Sequence, residues 1–370
     1  MTCLFLFYCQ LYSKTDYLSD LKAHIKFSIM PDDEKSTGYS LLHNVINLFA
    51  NKVSNYAYVD LLTAANLCMI IILSFSIYLM TLFIRNYYDN YAQTYSLKST
   101  FLTFGTSLVS MIITVMPGVS EGVYLGNGTP NPWHNPTYLI CRPFSMLVFL
   151  MFIIVLNQSI KNQISKINLF LLTLFALLSM WFKPSFLISF LPTMACILGL
   201  FLLKKKIQLK NAVLIGCSFL PAVIIIIFIY KFVFHGKSDN SISFGIGEFW
   251  HLYSKNLLIS LALGMSFPIY VFILKIKNLN LDFQIAALNY FFSFLIVYFI
   301  SETGERAAHG NFFWTYLFAM FFMFLVATKI FFLESKFTTW QKTLGFVLYG
   351  AHLGSGILYF SQILKGKVFF

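Results

Sequence analysis

Charge is scarce in this sequence. Asp, Glu, Lys and Arg make up 11% of its 370 residues, while 58% are hydrophobic and 43 are Phe. A soluble domain is excluded, because a chain of this length could not hide so much apolar surface. Six cysteines occur (Cys3, Cys9, Cys68, Cys141, Cys196 and Cys217), mostly inside apolar runs and with no CxxC pair. Neither a disulfide framework nor a thiolate metal centre is indicated. GxxxxGK[ST], GxGxxG and HExxH are all missing, which argues against direct ATP coupling, a dinucleotide fold or a zinc protease. There is no acidic cytoplasmic loop of the kind a nucleotide-sugar donor with a divalent metal needs. Low-complexity tracts and internal repeats are absent too.

What is present is a succession of apolar windows of about 20 residues, the length that carries a helix across a bilayer. The runs are continuous rather than alternating, which argues against a barrel. The expected fold is all-α: a single integral-membrane domain over 1–370, a polytopic bundle of about 10–11 spans with its transmembrane part at 57–364 and extracytoplasmic interfacial helices at 13–56. Candidate spans are 57–84, 99–117, 137–157, 167–182, 185–203, 211–231, 256–274, 283–300, 312–333 and 343–364. Residues 3–12 are apolar but about half a span, and no basic residue precedes them. They read either as a short apolar segment or as the tail of a helix that begins before this chain. Residues 13–56 carry two amphipathic stretches, Leu18–Met30 and Tyr39–Ala50, whose helical spacing suits an interfacial position.

The formal net charge of +12 suits membrane topology and anionic headgroups, since no nucleic-acid-binding motif accompanies it. Loops 158–166, 204–210, 275–282 and 334–342 carry the lysines, whereas 118–136 has no Lys or Arg. The positive-inside rule puts the lysine loops in the cytoplasm of a plasma (inner) membrane protein. The five lysines of 13–56 run against it, but short loops carry more weight. Of the 14 acidic residues, all but Asp89, Asp282 and Glu334 then fall on or near the outer face. Mid-span charges are nearly absent, so the polar islands are one-sided.

The first island is TDYLSDLKAHIKF. Asp16, Asp20 and His24 follow one another at i, i+4, so on a helix they share a face. A carboxylate with an imidazole can act as general base or hold a cation; a solvated helix face fits the same spacing. The second is residues 118–144, with Trp133, His134 and Asn135 at its end. Arg142 enters the next span. Trp133 suits an interface or a sugar-stacking platform. An Arg at that depth calls for an anionic partner, or snorkels. The third is MWFKPSF, where Pro184 breaks the helix and presents Lys183 at the membrane edge. The fourth, 235–255, reads as a connecting loop or a lid. The fifth, SETGERAAHGNFFWTY, packs Glu302, Glu305, Arg306 and His309 into about two helical turns. Glu302 and Arg306 are spaced as an internal ion pair. Carboxylates and His could hold a divalent metal ion, but no ligand spacing is diagnostic.

SDLKAHI (Ser19–Ile25), YSLLH (Tyr39–His43), the membrane-edge KPSF and the late ERxxHGNF-type stretch occur in that order along a long bundle. In this the chain resembles bacterial multi-spanning glycosyltransferases and polymerases of cell-surface polysaccharide synthesis, in particular the GT-C superfamily. The likeness covers most of the chain by architecture rather than by signature. It implies a polyprenyl-phosphate-linked sugar as donor, a glycan or lipid-linked acceptor, and an extracytoplasmic active site. A carboxylate of the first outer loop would act on the acceptor hydroxyl; by position that is Asp20, with Asp16 second. Lys183, Arg142 and Arg306 would then meet the phosphate, and Trp133 a sugar ring. His24, His134, Asn135, Glu302, Glu305 and His309 complete the expected substrate-binding set. A Wzy-like repeat-unit polymerase is the neighbouring reading. A transporter or flippase of lipid-linked saccharide is the alternative from another class; the one-sided islands favour an enzyme.

Overall fold

The computed structural model describes residues 7–11, 19–29, 41–53, 58–92, 97–116, 128–234, 241–254, 256–304, 307, 310–333 and 337–365. Asp16, Glu305, Arg306 and His309 lie outside these residues. The described chain is predominantly helical. Two short helices, α1 (Asp20–Ile29) and α2 (Leu41–Val53), pack on each other and on α3 (Tyr58–Ala92). They match the two amphipathic stretches. Then come α4 (Leu97–Ser110), α5 (Pro136–Ile160), α6 (Lys166–Phe182), α7 (Ser185–Leu203), α8 (Leu209–Cys217) and α9 (Leu220–Phe234). After strand β1 (Ile242–Phe244) follow α10 (Glu248–Tyr253), α11 (Leu257–Lys275), α12 (Leu281–Phe299), strand β2 (Ile300–Glu302), α13 (Phe313–Leu333) and α14 (Thr339–Leu364).

Among the described residues, seven helices are long and apolar enough to cross a membrane: parts of α3, α5, α7, α11, α12, α13 and α14. The chain is a multi-pass membrane protein. The other three expected spans are helical but atypical. α8 and α9 meet at 42° and are long and apolar enough to cross only when taken together. α6 has 17 residues and α4 has 14. At 1.5 Å per residue these reach about 25 and about 21 Å, short of a hydrocarbon core of about 30 Å.

The helix at the centre is α13. Of its most apolar window, 94% is buried inside the protein, and it packs against α3, α4, α7, α11 and α12. Its sequence, FWTYLFAMFFMFLVATKIFFL, is apolar on every side, as a helix surrounded by helices must be. The strip before it was expected to be helical from Glu302. Instead Ile300–Glu302 is extended and pairs antiparallel with Ile242–Phe244, with Ser243 opposite Ser301. Gly304 and Gly310 then take positive φ, 68° and 58°, a conformation open to glycine at little cost. The fourth and fifth islands thus form one small structure.

α4 is followed not by more helix but by an irregular segment, 111–116, inside the bundle. Its carbonyls need partners there, because the membrane interior offers no water. Asn131 Nδ2 donates to the carbonyls of Ser110 and Ile113 at 2.9 and 2.7 Å. His352 Nδ1 lies 2.8 Å from the Thr114 oxygen, and Ser355 Oγ donates to that of Val115 at 2.6 Å. At Gly356 the α14 backbone approaches so closely that a Cβ would stand 2.1 Å from the Ile112 oxygen.

Candidate functional site

Four helix starts meet at one place: those of α1, α5, α7 and α13. Two of them, α5 and α1, are capped by bonds the sequence makes locally. Asn135 caps α5, accepting from Tyr138 N at 2.9 Å, with Pro136 at the first helical position. Ser19 accepts from Leu21 N at 3.2 Å at the head of α1. The backbone N–H of Asp20 donates to the His134 carbonyl at 3.1 Å, which docks α1 on the turn before α5. Gln10 reinforces this, donating to the Trp133 carbonyl at 3.2 Å and accepting from Ser19 Oγ at 2.8 Å.

The α6–α7 turn arrives from the other side. Lys183 is extended and ends α6, its N–H donating to the Ser179 carbonyl. Cys141 Sγ of α5 lies 3.5 Å from the Lys183 carbonyl, so the turn is pinned to α5. Thr315 Oγ1 donates to the Ser185 carbonyl at 2.8 Å, fixing α13 against the start of α7. Trp314 is thereby laid beside Lys183.

The resulting cluster joins residues that are remote in the chain. Asn135 Nδ2 donates to Asp20 Oδ2 at 2.7 Å. Lys183 Nζ donates to Thr137 Oγ1 at 3.1 Å and to Asn135 Oδ1 at 3.4 Å. It also stands 4.3 Å from the centre of the Trp314 ring, a cation–π contact. His134 flanks the same ring at 6.0 Å. His24 Nδ1 and His43 Nε2 are 3.0 Å apart.

Burial sets the protonation of this group. It pulls the Lys183 ammonium down to about 8, against the opposing pull of the Asp20 carboxylate and of Cys141. Burial also lowers His24, to about 3, helped by the His43 ring and the Lys183 charge. His134 is lowered by burial and by Lys183, with Asp20 acting the other way. At neutral pH His24 is therefore a neutral imidazole and Lys183 carries the positive charge. A buried ammonium, a carboxylate and neutral imidazoles can bind an anionic group beside a hydroxyl and take that hydroxyl's proton.

Comparison with protein-family models, with curated proteins and with solved structures finds no match.

Several expected roles change. The spacing of Asp20 and His24 allowed a carboxylate–imidazole pair or a solvated helix face. Asp20 instead engages Asn135, and His24 engages His43 across to α2. Trp133 is buried, its ring edge-on to Phe360 at 5.2 Å, so it is no exposed sugar platform. Trp314, only partly buried, is the tryptophan that stands in the cluster, beside Lys183. Arg142 is wholly buried; it donates to Asn131 Oδ1 at 2.6 Å and stands over the Phe321 ring at 5.1 Å. Through Asn131 it belongs to the scaffold of segment 111–116. Glu302 is buried at the end of β2 and accepts from Asn311 Nδ2 at 2.6 Å. Beside it Ser301 Oγ donates to Glu248. No group of three or more His, Cys, Asp or Glu among the described residues could hold a metal ion.

Thr137, Trp314 and His43 were not singled out from sequence. Thr137 follows a cap–proline pair, and His43 closes the quoted YSLLH. Trp314 lies in the fifth island but reads as the first turn of a span. Lys329 was missed as well. It is buried in α13 and pairs with Asp282, standing 4.0 Å from the Phe83 ring centre. A lone lysine inside FLVATKIFF was the signal.

Proposed function

We propose that the protein is an integral-membrane glycosyltransferase. It takes a sugar from a polyprenyl-phosphate-linked donor and transfers it to a glycan acceptor on the extracytoplasmic face. The observation that supports this most is the bridge at Asn135, which sets the Asp20 carboxylate and the Lys183 ammonium side by side.

In this reading Asp20 accepts the proton of the acceptor hydroxyl as its oxygen attacks the donor's anomeric carbon. The bond from that carbon to the phosphate oxygen breaks, and the lipid phosphate leaves. Lys183 meets the charge that develops on it. The helix starts gathered there add their partial positive charge. Trp314 offers an apolar face to a sugar ring.

The test uses membranes bearing the full chain, a panel of radiolabelled polyprenyl-phosphate sugars and a cell-surface glycan acceptor. Wild-type protein forms labelled product. Asp20→Asn accumulates normally in membranes and loses at least about a hundredfold in rate. Undiminished product from that variant would remove Asp20 from the chemistry.

One observation favours a second reading, a flippase of lipid-linked saccharide. The Asp282–Lys329 pair is an ionisable site inside the bundle, of the kind transporters use. In proteoliposomes with a fluorescent lipid-linked saccharide, a flippase moves the probe between leaflets without altering it. A transferase converts it and leaves its leaflet unchanged.

A further inference from the structure

We propose that Asn135 is a positioning residue that couples Asp20 to Lys183, rather than a contact for substrate. Its effect on turnover rests on the glycosyltransferase reading; the coupling itself does not.

The inference starts from the side chain's hydrogen bonds. An asparagine amide presents one acceptor oxygen and two N–H donors. Here Oδ1 faces three donors: Tyr138 N at 2.9 Å, Thr137 Oγ1 at 2.9 Å and Lys183 Nζ at 3.4 Å. Nδ2 faces the Asp20 carboxylate at 2.7 Å. Rotating the amide by half a turn would aim N–H groups at donors and an oxygen at a carboxylate. The orientation is therefore dictated from both ends. Asn135 is also buried, so little of it is left for a ligand.

The other residue types do not serve here. An aspartate would cap α5 equally well and accept from Lys183, but it would set one carboxylate against another. A serine would cap α5 and be too short to span the gap. Only an amide of this length accepts from the lysine while donating to the carboxylate. The pair is thus held at a distance bridged by one side chain and does not collapse into a direct ion pair. A direct pair would occupy both charges and leave neither for substrate.

Among the described residues, the titratable groups around the pair come from four elements. α1 contributes Asp20 and His24, α2 contributes His43, the turn before α5 contributes His134, and α5 contributes Cys141. Among these described groups Asp20 is the one carboxylate, so a second at position 135 is a distinct perturbation.

The test reads the ionisation of Lys183 directly. Full-length protein in detergent is labelled competitively with acetic anhydride across a pH series, and the Lys183 peptide is quantified by mass spectrometry. In wild-type protein the midpoint falls near 8. Asn135→Asp, which keeps the cap, raises it by about one unit or more. Asp20→Asn, which leaves Asn135 in place, lowers it. Asn135→Ser keeps the cap and reduces transfer by about a hundredfold through misplacement of the pair. Unchanged midpoints in both Asn135→Asp and Asp20→Asn overturn the coupling. Wild-type turnover in Asn135→Ser, where wild-type protein does form glycan product, overturns the positioning role of Asn135 in transfer. If the midpoints shift as stated but wild-type protein forms no glycan product, the coupling stands and the transferase reading falls. Product without the shifts means the reverse.

Discussion

Lys183 is the side chain whose chemistry differs most from its ordinary behaviour. Its ammonium titrates near 8, because burial disfavours the charge more than Asp20 favours it. The sign of the consequence is fixed. Below about pH 8 the folded protein holds a cation at Lys183, where the proposed mechanism needs one; above it the cation is lost. kcat/KM, which reports ionisations of the free protein, should therefore fall as pH rises through about 8. Lys183→Arg keeps its charge across that range, so any activity it retains should show no alkaline fall in this region. The same fall in the arginine variant would trace the limb to another group. Asp20, Asn135 and Lys183 could each be picked out from sequence, by carboxylate spacing, by a loop end and by a proline-broken turn. Their meeting could not. It depends on Asp20 N reaching the His134 carbonyl and on Cys141 holding the Lys183 carbonyl. Neither contact leaves a periodic trace in the chain.

At the scale of elements, the sequence announced helices and concealed where they stop. A period of apolar residues tells a helix from a strand, but it is silent about a run that leaves the helix while staying apolar. Met111–Met116 does that, and its carbonyls are answered by Asn131, His352 and Ser355 from distant segments. The strand pair was hidden for a related reason: three residues are too few for an alternation to register. Gly356 gives the element-scale prediction. An alanine there would put its Cβ against the Ile112 carbonyl, a backbone atom that cannot swing aside. Gly356→Ala should destabilise the protein by about 1–3 kcal/mol, read as a lower thermal midpoint in detergent. Gly350, with nothing within 4 Å of its would-be Cβ, is the control, and equal midpoints for the two alanine variants would show that the close approach does not matter.

For the whole molecule, loop charge assigned the sides, and the fold assembles parts of the assigned outer segments. The α1 start, the turn before α5, the α6–α7 turn and the α13 start all join one cluster. The order of spans was legible because bilayer thickness imposes a length on each. The identity of the central helix was less so, since α13 is only one of several runs apolar on every side. Sidedness can be measured. Ser241→Cys, at an exposed position beside β1, should react with an impermeant maleimide in intact cells, above the background of the native cysteines. Lys205→Cys, exposed in the loop after α7, should react only after lysis. The opposite pattern would invert the protein and move the proposed site to the cytoplasm.

The central helix has a mechanical consequence. Trp314 and Lys329 are carried on the same α13, about 22 Å apart along its axis. One touches Lys183; the other pairs with Asp282 at the far end of the bundle. α13 is one continuous hydrogen-bonded helix between them, so the cluster at its start and a buried charge pair that it never meets share a single rigid element.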